Sequence, residues 1–526
     1  MCPKKIENIP LPLAYDTPDL HAAAADALGR PLEEIGAVRM IRRSLDARRR
    51  SPQFLANLEI FSPGEDPAPL WNGPQYAAKQ STKTSPLIVG AGPAGLFAAL
   101  RLLEHGIKPL VIDRGAPVDE RGRHVADFRR NGALNEESNY CYGEGGAGTF
   151  SDGKLYTRKK HVLVRTVLEW LVAFGAPEFE TLIESRPHVG TNYLIPILKK
   201  LREDLQAHGA EIRFHTRLLR FLYQNDGGEQ KIVGAELSDG THVECENVIL
   251  ATGHSARPLY RQLLHEGVAM ESKPTAIGFR LEHPQEMIDA SQFGASAGKG
   301  HLGAASYRLA CQADGRGVYS FCMCPGGFVI PTPVRDGHLN VNGMSNSNRG
   351  GPFANSAIVT TVDAEDYAKL AAPDVPPALA GLAFQDALEQ ACFTLGGGSY
   401  IAPAQRIPDF LRGRTGDVPE KTSFRPGIQA ADLTTILPGQ LHGPLREALQ
   451  TFARKIRGFD SREAVAIGLE TTTSAPLQIL RDNQSLQSPT VGGLYPCGEG
   501  AGFAGGIVSS AIDGIRVADA IADQQA

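Results

Sequence analysis

The stretch SPLIVGAGPAGLFAALRLLEHGIKPLVIDRG, residues 85–115, predicts a strand, a tight turn, a helix and a second strand. Its first apolar run, Leu87–Val89, ends at the pattern Gly90-x-Gly92-x-x-Gly95. The first glycine permits a tight turn, the second lets the backbone approach a pyrophosphate, and the third lets the helix pack against the strand. The N-terminus of that helix then offers unpaired N–H groups and a partial positive charge to the phosphates.

An acidic residue completes this pattern. The second strand, residues 110–112, leads into Asp113, which lies eighteen residues after Gly95. An acid at this distance accepts a hydrogen bond from a ribose hydroxyl. The order strand, turn, helix, strand and acid therefore predicts a dinucleotide-binding Rossmann unit. Further contacts to the dinucleotide are expected at Pro93, Ala94 and Arg114.

A second G-x-G-x-x-G pattern, GEGGAG at residues 143–148, does not predict a second unit of this kind. No apolar strand precedes it, and no strand that ends in an acid follows it at the required distance. The chain is therefore expected to contain one dinucleotide domain. A nicotinamide cofactor would then bind transiently, as a co-substrate.

The composition indicates a globular protein of two or three domains. The chain has 526 residues, of which 42% are hydrophobic and 21% charged, and its net charge is -5. This balance does not favour nucleic acid or anionic lipid as a partner. No apolar run approaches the ~20 residues of a membrane span, and the start MCPKKIENIP lacks an apolar signal region. A cytoplasmic protein without a membrane segment is expected.

The eight cysteines are expected to be mostly thiols in a reducing compartment. The nearest approach to a Cys-x-x-Cys motif is the pair Cys322 and Cys324, whose sulfurs a strand would place on one face. Two half-buried strand cysteines are expected there, and no metal site, because no further Cys/His cluster completes one. A redox pair of Cys141 and Cys497 is the weaker alternative, since the two lie far apart in sequence.

The order of the patterns predicts an α/β protein in five segments. Residues 1–61 form a small α+β domain and residues 62–85 a linker rich in proline and glycine. Residues 86–272 form the first part of the dinucleotide domain, residues 273–459 an inserted α+β substrate or cap domain, and residues 460–526 the C-terminal part of the dinucleotide domain. In the first domain, strands are expected at 6–13, 37–44 and 54–61 and a helix at 20–28.

The N-terminal domain is locally basic through Arg39, Arg42, Arg43, Arg48, Arg49 and Arg50. A solvated charged face is the simpler interpretation of this cluster. A docking surface for an acidic protein partner, or for RNA, is the alternative.

Two distant segments resemble the FAD-binding half of flavoprotein oxidoreductases of the glutathione-reductase type. One is the strand meander that ends in the ATG of residues 251–253, and the other is LYPCGEGAG, residues 494–502. In such proteins an acid at the position of Glu499 reaches the ribityl chain of the flavin, and a strand residue at the position of Leu218 contacts adenine. The resemblance and the glycine-rich loops together predict FAD contacts at Gly145, Gly146, Leu218, Thr252, Gly253, Gly498, Glu499, Ala501, Gly502 and Gly505, in addition to Gly90, Gly92, Gly95 and Asp113.

Several motifs together resemble one family, the FAD-dependent or NAD(FAD)-utilizing dehydrogenases of bacteria and plastids. They include YCYGEGGAGTFSDGKLYTR, AIGFRLEHPQ, YSFCMCPGGFVIP and GLYPCGEGAGFAGGIVSSAIDGIR. The resemblance covers most of residues 85–526 and implies FAD as the cofactor, with NAD(P)H as a transient co-substrate. It implies a flavin-linked redox reaction without specifying a substrate.

Three titratable residues are candidates for catalysis. Glu144 would act as an acid or base, or else cap a turn. His254 follows the ATG turn, where it would titrate near the cofactor or simply bind backbone. Arg280 would pair with an anionic substrate, or form a salt bridge between domains.

The favoured function is therefore hydride transfer between FAD and a small organic substrate, with NAD(P)H as the redox partner. Three alternatives stay open at this point. They are a monooxygenase that uses a flavin hydroperoxide, a flavoprotein that modifies or binds RNA, and a flavin-bound assembly protein without catalysis.

Overall fold

The computed structural model describes residues 3–48, 51–77, 84–157, 160–227 and 229–525. Arg49, Arg50 and residues 78–83 of the predicted linker lie outside the described residues. The predicted fold class is confirmed: an α/β protein with a Rossmann-type domain, an inserted α+β domain and a small N-terminal α+β domain. Separate apolar clusters fill the N-terminal domain, the two faces of the Rossmann sheet and the inserted domain.

The N-terminal domain is an antiparallel sheet covered by one helix. Its elements are β1 (Lys4–Leu11), α1 (Thr17–Leu28), β2 (Val38–Asp46) and β3 (Gln53–Ile60), with the strand order β1-β3-β2. Asp16 and Asp19 begin α1 with a reciprocal capping box. Gly29 ends it in the left-handed conformation, at φ 62°. These bounds agree with the predicted elements to within a few residues.

The arginines of this domain are largely engaged inside the molecule. Arg43 forms an ion pair with Glu184 of the Rossmann domain, and its guanidinium lies 4.4 Å from the centre of the Phe54 ring. Arg39 pairs with Glu59, and Arg48 with Asp46. Much of the predicted basic charge is therefore neutralised locally, and Arg43 fastens the N-terminal domain to its neighbour. A protein partner at this face stays a prediction.

The described part of the predicted linker, residues 62–77, has no helix or strand, but it is anchored by side chains. Trp71 donates a hydrogen bond to Glu178 at 3.3 Å, and the Tyr76 ring packs on His208 with ring centres 3.9 Å apart. The backbone N–H of Gln75 donates to Glu104 at 2.9 Å. The segment therefore lies along the Rossmann domain and is held there by its two aromatic residues.

The Rossmann domain is built from two parts of the chain, as predicted. The first part contains β4 (Leu87–Val89), α2 (Pro93–Glu104), β5 (Leu110–Ile112), α3 (Val118–Asn131), α4 (Leu163–Ala173), α5 (Thr191–Ala207), β6 (Glu211–Arg213), β7 (Leu218–Asp226), β8 (Glu229–Leu237), β9 (His242–Glu244), β10 (Val248–Leu250) and α6 (Arg257–His265). Strands β7, β8 and β9 form the predicted antiparallel meander.

The inserted domain follows and is centred on a seven-stranded sheet. Before it, β11 (Met270–Ser272) belongs to the Rossmann domain and pairs with residues 477–479. The elements of the inserted domain are β12 (Thr275–Pro284), α7 (Gln285–Phe293), β13 (Ala310–Ala313), β14 (Arg316–Cys324), β15 (Phe328–Pro331), β16 (Val341–Met344), β17 (Phe353–Val362), α8 (Ala364–Ala368), α9 (Ala380–Leu395), β18 (Ala402–Arg406), α10 (Ile407–Arg412), β19 (Ile428–Ala430), α11 (His442–Ala453) and β20 (Val465–Glu470). The strand order is β13-β14-β17-β12-β20-β18-β19.

The position of β20 differs from the predicted division of the chain. The boundary between residues 459 and 460 assigned this strand to the Rossmann domain. In the structure β20 is an inner strand of the seven-stranded sheet and pairs with β12 and β18. The inserted domain therefore extends at least to Glu470, because a buried inner strand must hydrogen-bond on both edges.

The chain then returns to the Rossmann domain with β21 (Leu477–Ile479), β22 (Val491–Gly492), β23 (Leu494–Pro496) and α12 (Ile507–Gln525). The parallel sheet has the order β23-β10-β4-β5-β6, so the carboxyl ends of these strands meet at one edge. Helix α12 packs closely on α2, since a Cβ at Gly514 would lie 2.0 Å from the carbonyl oxygen of Ala94. Within the described ranges, no helix is both long and apolar enough to cross a membrane.

The glycine-rich loop after α3 is organised by one buried arginine. Arg121 is fully buried. Its guanidinium donates to the carbonyl oxygens of Asn139, Glu144 and Gly146 at 2.8, 2.6 and 2.8 Å. It also donates to the Tyr140 carbonyl at 2.9 Å and the Thr149 hydroxyl at 3.1 Å. Burial lowers the pKa of Arg121 to about 10, so the side chain stays charged at neutral pH and fixes the shape of the loop.

We expect Arg121→Met to destabilise the protein by at least ~3 kcal/mol, because several buried carbonyl groups would lose their donor. The matched control is Arg123→Met, on the exposed side of the same helix. Thermal and urea unfolding of both variants measure the difference. Equal stabilities for the two variants would contradict the assigned role.

Candidate active site

A cavity of about 1100 Å³ lies between the carboxyl edge of the parallel sheet and the inserted domain. Its walls come from the turn at residues 90–94, the loop at residues 141–157, the turn at residues 251–256, strand β14 and the segment 497–510. The volume exceeds the ~300–1,000 Å³ of ordinary ligand sites. It is large enough for a dinucleotide and a second small molecule.

The three glycines of the first motif have different surroundings. Gly90 adopts φ 113°, and a Cβ there would lie 2.4 Å from the carbonyl oxygen of Ala251. A Cβ at Gly95 would lie 1.9 Å from the carbonyl oxygen of Gly90, so this glycine permits helix packing. A Cβ at Gly92 would meet nothing closer than 3.8 Å, the distance to the Cα of Gly146. Gly92 therefore keeps space open on the cavity side, beside the start of α2.

The N-terminus of α2 faces this open space and has no side-chain cap. Its first-turn N–H groups and the positive end of the helix dipole are thus available to an anion. On the other side of the cavity, a Cβ at Gly253, Gly505 or Gly506 would meet nothing within 4 Å. The backbone at Gly92, Gly253, Gly505 and Gly506 thus borders an open space, which we call the cradle. Side chains at these four positions would fill it, and the space fits the pyrophosphate and ring system of a dinucleotide.

Asp113 holds the turn together as well as lining the cavity. Its carboxylate accepts hydrogen bonds from the backbone N–H groups of Ala91 and Gly115, each at 2.8 Å. Arg114 beside it pairs with Glu137 at 2.7 Å and lies 4.2 Å from the centre of the Tyr142 ring. The predicted bond from a ribose hydroxyl to Asp113 would use the remaining acceptor sites of this carboxylate, and it stays a prediction.

Most of the predicted cofactor contacts line the cavity: Gly90, Gly92, Pro93, Ala94, Asp113, Arg114, Gly146, Leu218, Thr252, Gly253, Gly498, Glu499, Gly502 and Gly505. Gly95, Gly145 and Ala501 do not, and they support the walls from behind. A Cβ at Gly145 would lie 2.2 Å from the Thr149 hydroxyl. Ala501 is buried in an apolar cluster, and its carbonyl accepts from the N–H of Ile479.

Glu499 brings a titratable carboxyl group into the wall. Burial raises its pKa to about 7, opposed by the charge of Lys273. Lys273 in turn donates a hydrogen bond to the carbonyl of Gly502 at 2.8 Å. A carboxyl with this pKa gains and loses a proton close to neutral pH, which suits general acid–base chemistry.

The structure does not support Glu144 as a catalytic residue. Its side chain is fully buried outside the cavity wall. The carboxylate accepts from the N–H of Val118 at 2.7 Å, at the start of α3, and forms an ion pair with Arg202. Glu144 therefore serves the capping role that was its alternative interpretation, because a carboxylate there stabilises the helix N-terminus.

His254 does line the cavity. Its Nδ1 lies 2.8 Å from the hydroxyl of Ser255. Burial lowers the pKa of the imidazole to about 4, and the nearby charge of Arg257 lowers it further. His254 is therefore neutral at physiological pH, and its ring offers one donor and one acceptor nitrogen.

Arg280 does not reach the cavity wall, so the predicted pairing with substrate is wrong. It is fully buried on β12 and pairs with Glu470 of β20 at 2.8 Å. Its guanidinium also donates to the side-chain oxygen of Asn355 at 2.8 Å and to the carbonyl of Cys322 at 2.6 Å. The residue ties neighbouring strands of one sheet together, rather than joining two domains, because β20 belongs to the inserted domain.

A charged cluster that the sequence did not reveal lies in the wall opposite the glycine turn. Lys154 pairs with Asp152 at 3.0 Å, and Arg349 pairs with the same carboxylate at 2.6 Å. Asp152 and Lys154 follow the glycine-rich loop, whereas Arg349 comes from a loop of the inserted domain. The motif SDGKLYTR contains two of the three residues, but only the fold brings Arg349 to them. No group of His, Cys, Asp and Glu side chains in the described ranges is arranged to hold a metal ion.

Comparison with known proteins identifies the family. The family described as "FAD-dependent protein, C-terminal domain-like" matches residues 274–473, an "FAD binding domain" matches residues 83–129, and a domain of unknown function matches residues 3–61. A protein of Clostridium beijerinckii, named only "Uncharacterized protein", is 41% identical over 540 residues, which cover 99% of this chain and 98% of that protein. The chain belongs to this FAD-dependent family. FAD is therefore the cofactor of the family, and the match to the FAD binding domain includes the glycine turn and Asp113.

Some solved structures are also similar. A mutant of the halogenase PltM in complex with FAD is 12% identical with a TM-score of 0.38, covering 84% of this chain and 70% of that one. CtdE in complex with FAD is 12% identical with a TM-score of 0.31, covering 84% of each chain. Glycine oxidase from Bacillus cereus is 14% identical with a TM-score of 0.31, covering 84% of this chain and 96% of that one. At these scores the similarity carries no argument about the chemistry of the family member described here.

We expect Gly92→Ala to fold normally and to lose FAD affinity at least tenfold, or about 1.4 kcal/mol. Gly92 has φ -82°, which alanine adopts freely, and the added methyl group would occupy the cradle rather than the protein. The control is Gly122→Ala in α3, where a Cβ also meets nothing within 4 Å. Calorimetric titration of both apoproteins with FAD measures the difference. An unchanged FAD affinity of Gly92→Ala would contradict a role of the glycine turn in binding FAD.

Proposed function

We propose that the protein is an FAD-dependent oxidoreductase that transfers a hydride between the flavin and a small organic substrate, with NAD(P)H as its redox partner. One observation carries this proposal. The cradle at the N-terminus of α2 and the polar wall of the inserted domain belong to the same cavity. A dinucleotide that fills the first part leaves the second for a substrate.

The inserted domain indicates the class of substrate. Arg308 and Arg349 line its side of the cavity, and Arg186 lines the wall contributed by the Rossmann domain. Arg349 is paired with Asp152 at 2.6 Å, whereas no ion pair of Arg186 or Arg308 is found among the described residues. Guanidinium groups bind carboxylate and phosphate through paired hydrogen bonds. We therefore expect the substrate to carry an anionic group.

The bound flavin would supply hydride transfer, and the surrounding residues would position the substrate and manage protons. Glu499 holds a proton at its carboxyl group near neutral pH. The neutral imidazole of His254 presents a hydrogen-bonding nitrogen without introducing a charge. Apolar and aromatic residues of β14, including Tyr319, Phe321 and Met323, line the same wall and limit access of water.

A nicotinamide would bind as a transient co-substrate. The described part of the chain contains one parallel Rossmann sheet, and its dinucleotide cradle serves FAD. The nicotinamide ring would therefore enter from the side of the inserted domain and leave before the organic substrate binds. This order predicts that NAD(P)H and substrate compete for one space.

The test is anaerobic addition of NADH or NADPH to the FAD-loaded protein, followed by absorbance of the flavin near ~450 nm. We expect one of the two nicotinamides to bleach the flavin, and an anionic substrate analogue to slow the bleaching competitively. FAD that is bound but untouched by either nicotinamide would contradict the role of NAD(P)H. Protein that cannot be loaded with FAD would contradict the whole proposal.

A further inference from the structure

Two cysteines and one lysine meet where β14 forms the cavity wall. The Nζ of Lys154 lies 3.8 Å from the Sγ of Cys322 and 3.9 Å from the Sγ of Cys324. The thiol of Cys324 also donates a hydrogen bond to the backbone carbonyl oxygen of Cys322 at 3.3 Å. Cys322 lines the cavity, and Cys324 is completely buried behind it. This is the pair that the sequence indicated as two ordinary strand cysteines.

The backbone at this pair departs from a regular strand. Cys322 has φ 47°, a left-handed conformation that residues with a side chain rarely adopt. The pairing of β14 with β17 shifts register between Phe321 and Cys324. In a regular strand, the Cα atoms of residues two apart are separated by roughly 6.6 Å, within the limit of ~6.8 Å for a disulfide. The irregularity bends β14 at this pair.

The charges around the pair favour a thiolate. Lys154, Arg280 and Arg349 bring three positive charges to this region, whereas Asp152 and Glu470 bring two negative charges. One thiolate would balance the excess. The guanidinium of Arg280 is within 3.4 Å of the Cys324 sulfur, so cations flank both sulfur atoms.

The two thiols differ in acidity. The neighbouring Cys324 thiol places the pKa of Cys322 well below its usual range. Lys154 and Arg280 lower this pKa further, whereas burial raises it. The Cys322 thiol, together with burial, raises the pKa of Cys324. The other two cysteines of the cavity wall, Cys141 and Cys497, have pKa values raised by burial. A thiolate beside a protonated thiol is the arrangement of a reactive dithiol.

The pair is also close to the part of the cavity assigned to the cofactor. The pKa of Glu499 is raised first by burial, and the charge of Cys322 raises it further. Both residues line the same cavity. Glu499 precedes the loop at Gly505 and Gly506, which leaves open space in the opposite wall. Cys322 therefore faces the same space as the predicted flavin contacts.

We propose that Cys322 and Cys324 form a dithiol–disulfide couple that exchanges two electrons with FAD in this cavity. The inference rests on the proposed function in one respect, which is that FAD occupies the cavity as a redox cofactor. It adds an electron carrier within the chain, so that a thiol or disulfide compound becomes a further candidate substrate.

The step balances between the two partners. In the oxidative direction, the S–H bond of Cys324 breaks and an S–S bond forms between Cys324 and the Cys322 thiolate. Two electrons and one proton leave the pair, for which oxidised FAD would be the acceptor. In the reverse direction, the S–S bond takes up two electrons, for which reduced FAD would be the donor, and breaks. Cys322 then leaves as a thiolate beside Lys154 while Cys324 regains its proton.

The first test measures how many electrons the protein takes up per FAD. FAD-loaded protein, oxidised in air, is titrated with dithionite in the absence of oxygen while flavin absorbance is followed. We expect the wild-type protein to take up four electrons per FAD, and the variants Cys322→Ser and Cys324→Ser to take up two. The controls Cys311→Ser, in the same sheet, and Cys141→Ser, in the same cavity, should take up four. Wild-type protein that takes up only two electrons would overturn the inference.

The second test measures the oxidation state of the two thiols in the wild-type protein. Wild-type protein equilibrated in glutathione redox buffers is quenched in acid, alkylated and analysed by mass spectrometry of the peptide that contains both cysteines. We expect this peptide to pass from two alkyl groups to none as the buffer becomes oxidising. A peptide that keeps both alkyl groups throughout would refute the couple.

The role of Lys154 is tested by the rate at which Cys322 is alkylated. At about pH 6 we expect iodoacetamide to modify Cys322 at least tenfold faster than Cys311, and Lys154→Met to abolish most of this difference. Lys154→Arg retains the charge and should restore the rate. Equal rates for Lys154→Met and wild type would exclude Lys154 from stabilising the thiolate.

The groups around the thiolate in this pH experiment are Lys154, Asp152, Arg280, Arg349 and Cys324, with Glu499 and Glu470 nearby. The outcomes separate the two proposals. Protein without FAD after reconstitution would refute the proposed function together with this inference. Protein that binds FAD and takes up only two electrons would refute this inference alone.

Discussion

The guanidinium of Arg121 donates hydrogen bonds to the glycine-rich loop at residues 143–148 and fixes its conformation. Residues 143–148 include four glycines, and three of them, Gly143, Gly145 and Gly146, adopt positive φ. Such a segment loses much conformational entropy on folding. A buried cation that donates hydrogen bonds to several of its carbonyl groups restricts the loop to one conformation. The loop then lies beside the glycine turn, where a Cβ added at Gly92 would be 3.8 Å from the Cα of Gly146.

The cavity depends on the joining of two domains, and its chemistry is divided between them. The Rossmann domain contributes backbone: a helix N-terminus, glycines and an acid that fixes the turn. The inserted domain contributes side chains, among them Arg349 and the two cysteines of β14. This division is typical of proteins in which a cofactor carries the reaction and a second domain selects the substrate. Ion pairs such as Arg349–Asp152 and Arg257–Glu389 join the two domains.

The sequence predicted the Rossmann domain well because its signals are local. Strand β4, helix α2 and strand β5 appear close to their expected bounds, and Asp113 lies at the cavity. The boundary near residue 460 was wrong because β20 belongs to its sheet through pairing with β12 and β18, both distant in sequence. For Arg280 and Glu144 the sequence left a catalytic and a structural interpretation open, and the structure supports the structural one for a related reason. Their partners, Glu470 and Arg202, are distant in sequence, and burial removed both side chains from the cavity. Lys154 and Cys322 meet only in the folded protein.

The central claim is that the turn at Gly90–Gly95 holds the ADP part of one FAD molecule in this cavity. Calorimetric titration of the apoprotein with FAD, repeated in the presence of saturating ADP, tests it most directly. We predict one FAD bound per chain and a marked loss of apparent affinity when ADP is present, because both ligands would use the N-terminus of α2. Absence of FAD binding, or FAD binding that ADP leaves unchanged, would contradict the account.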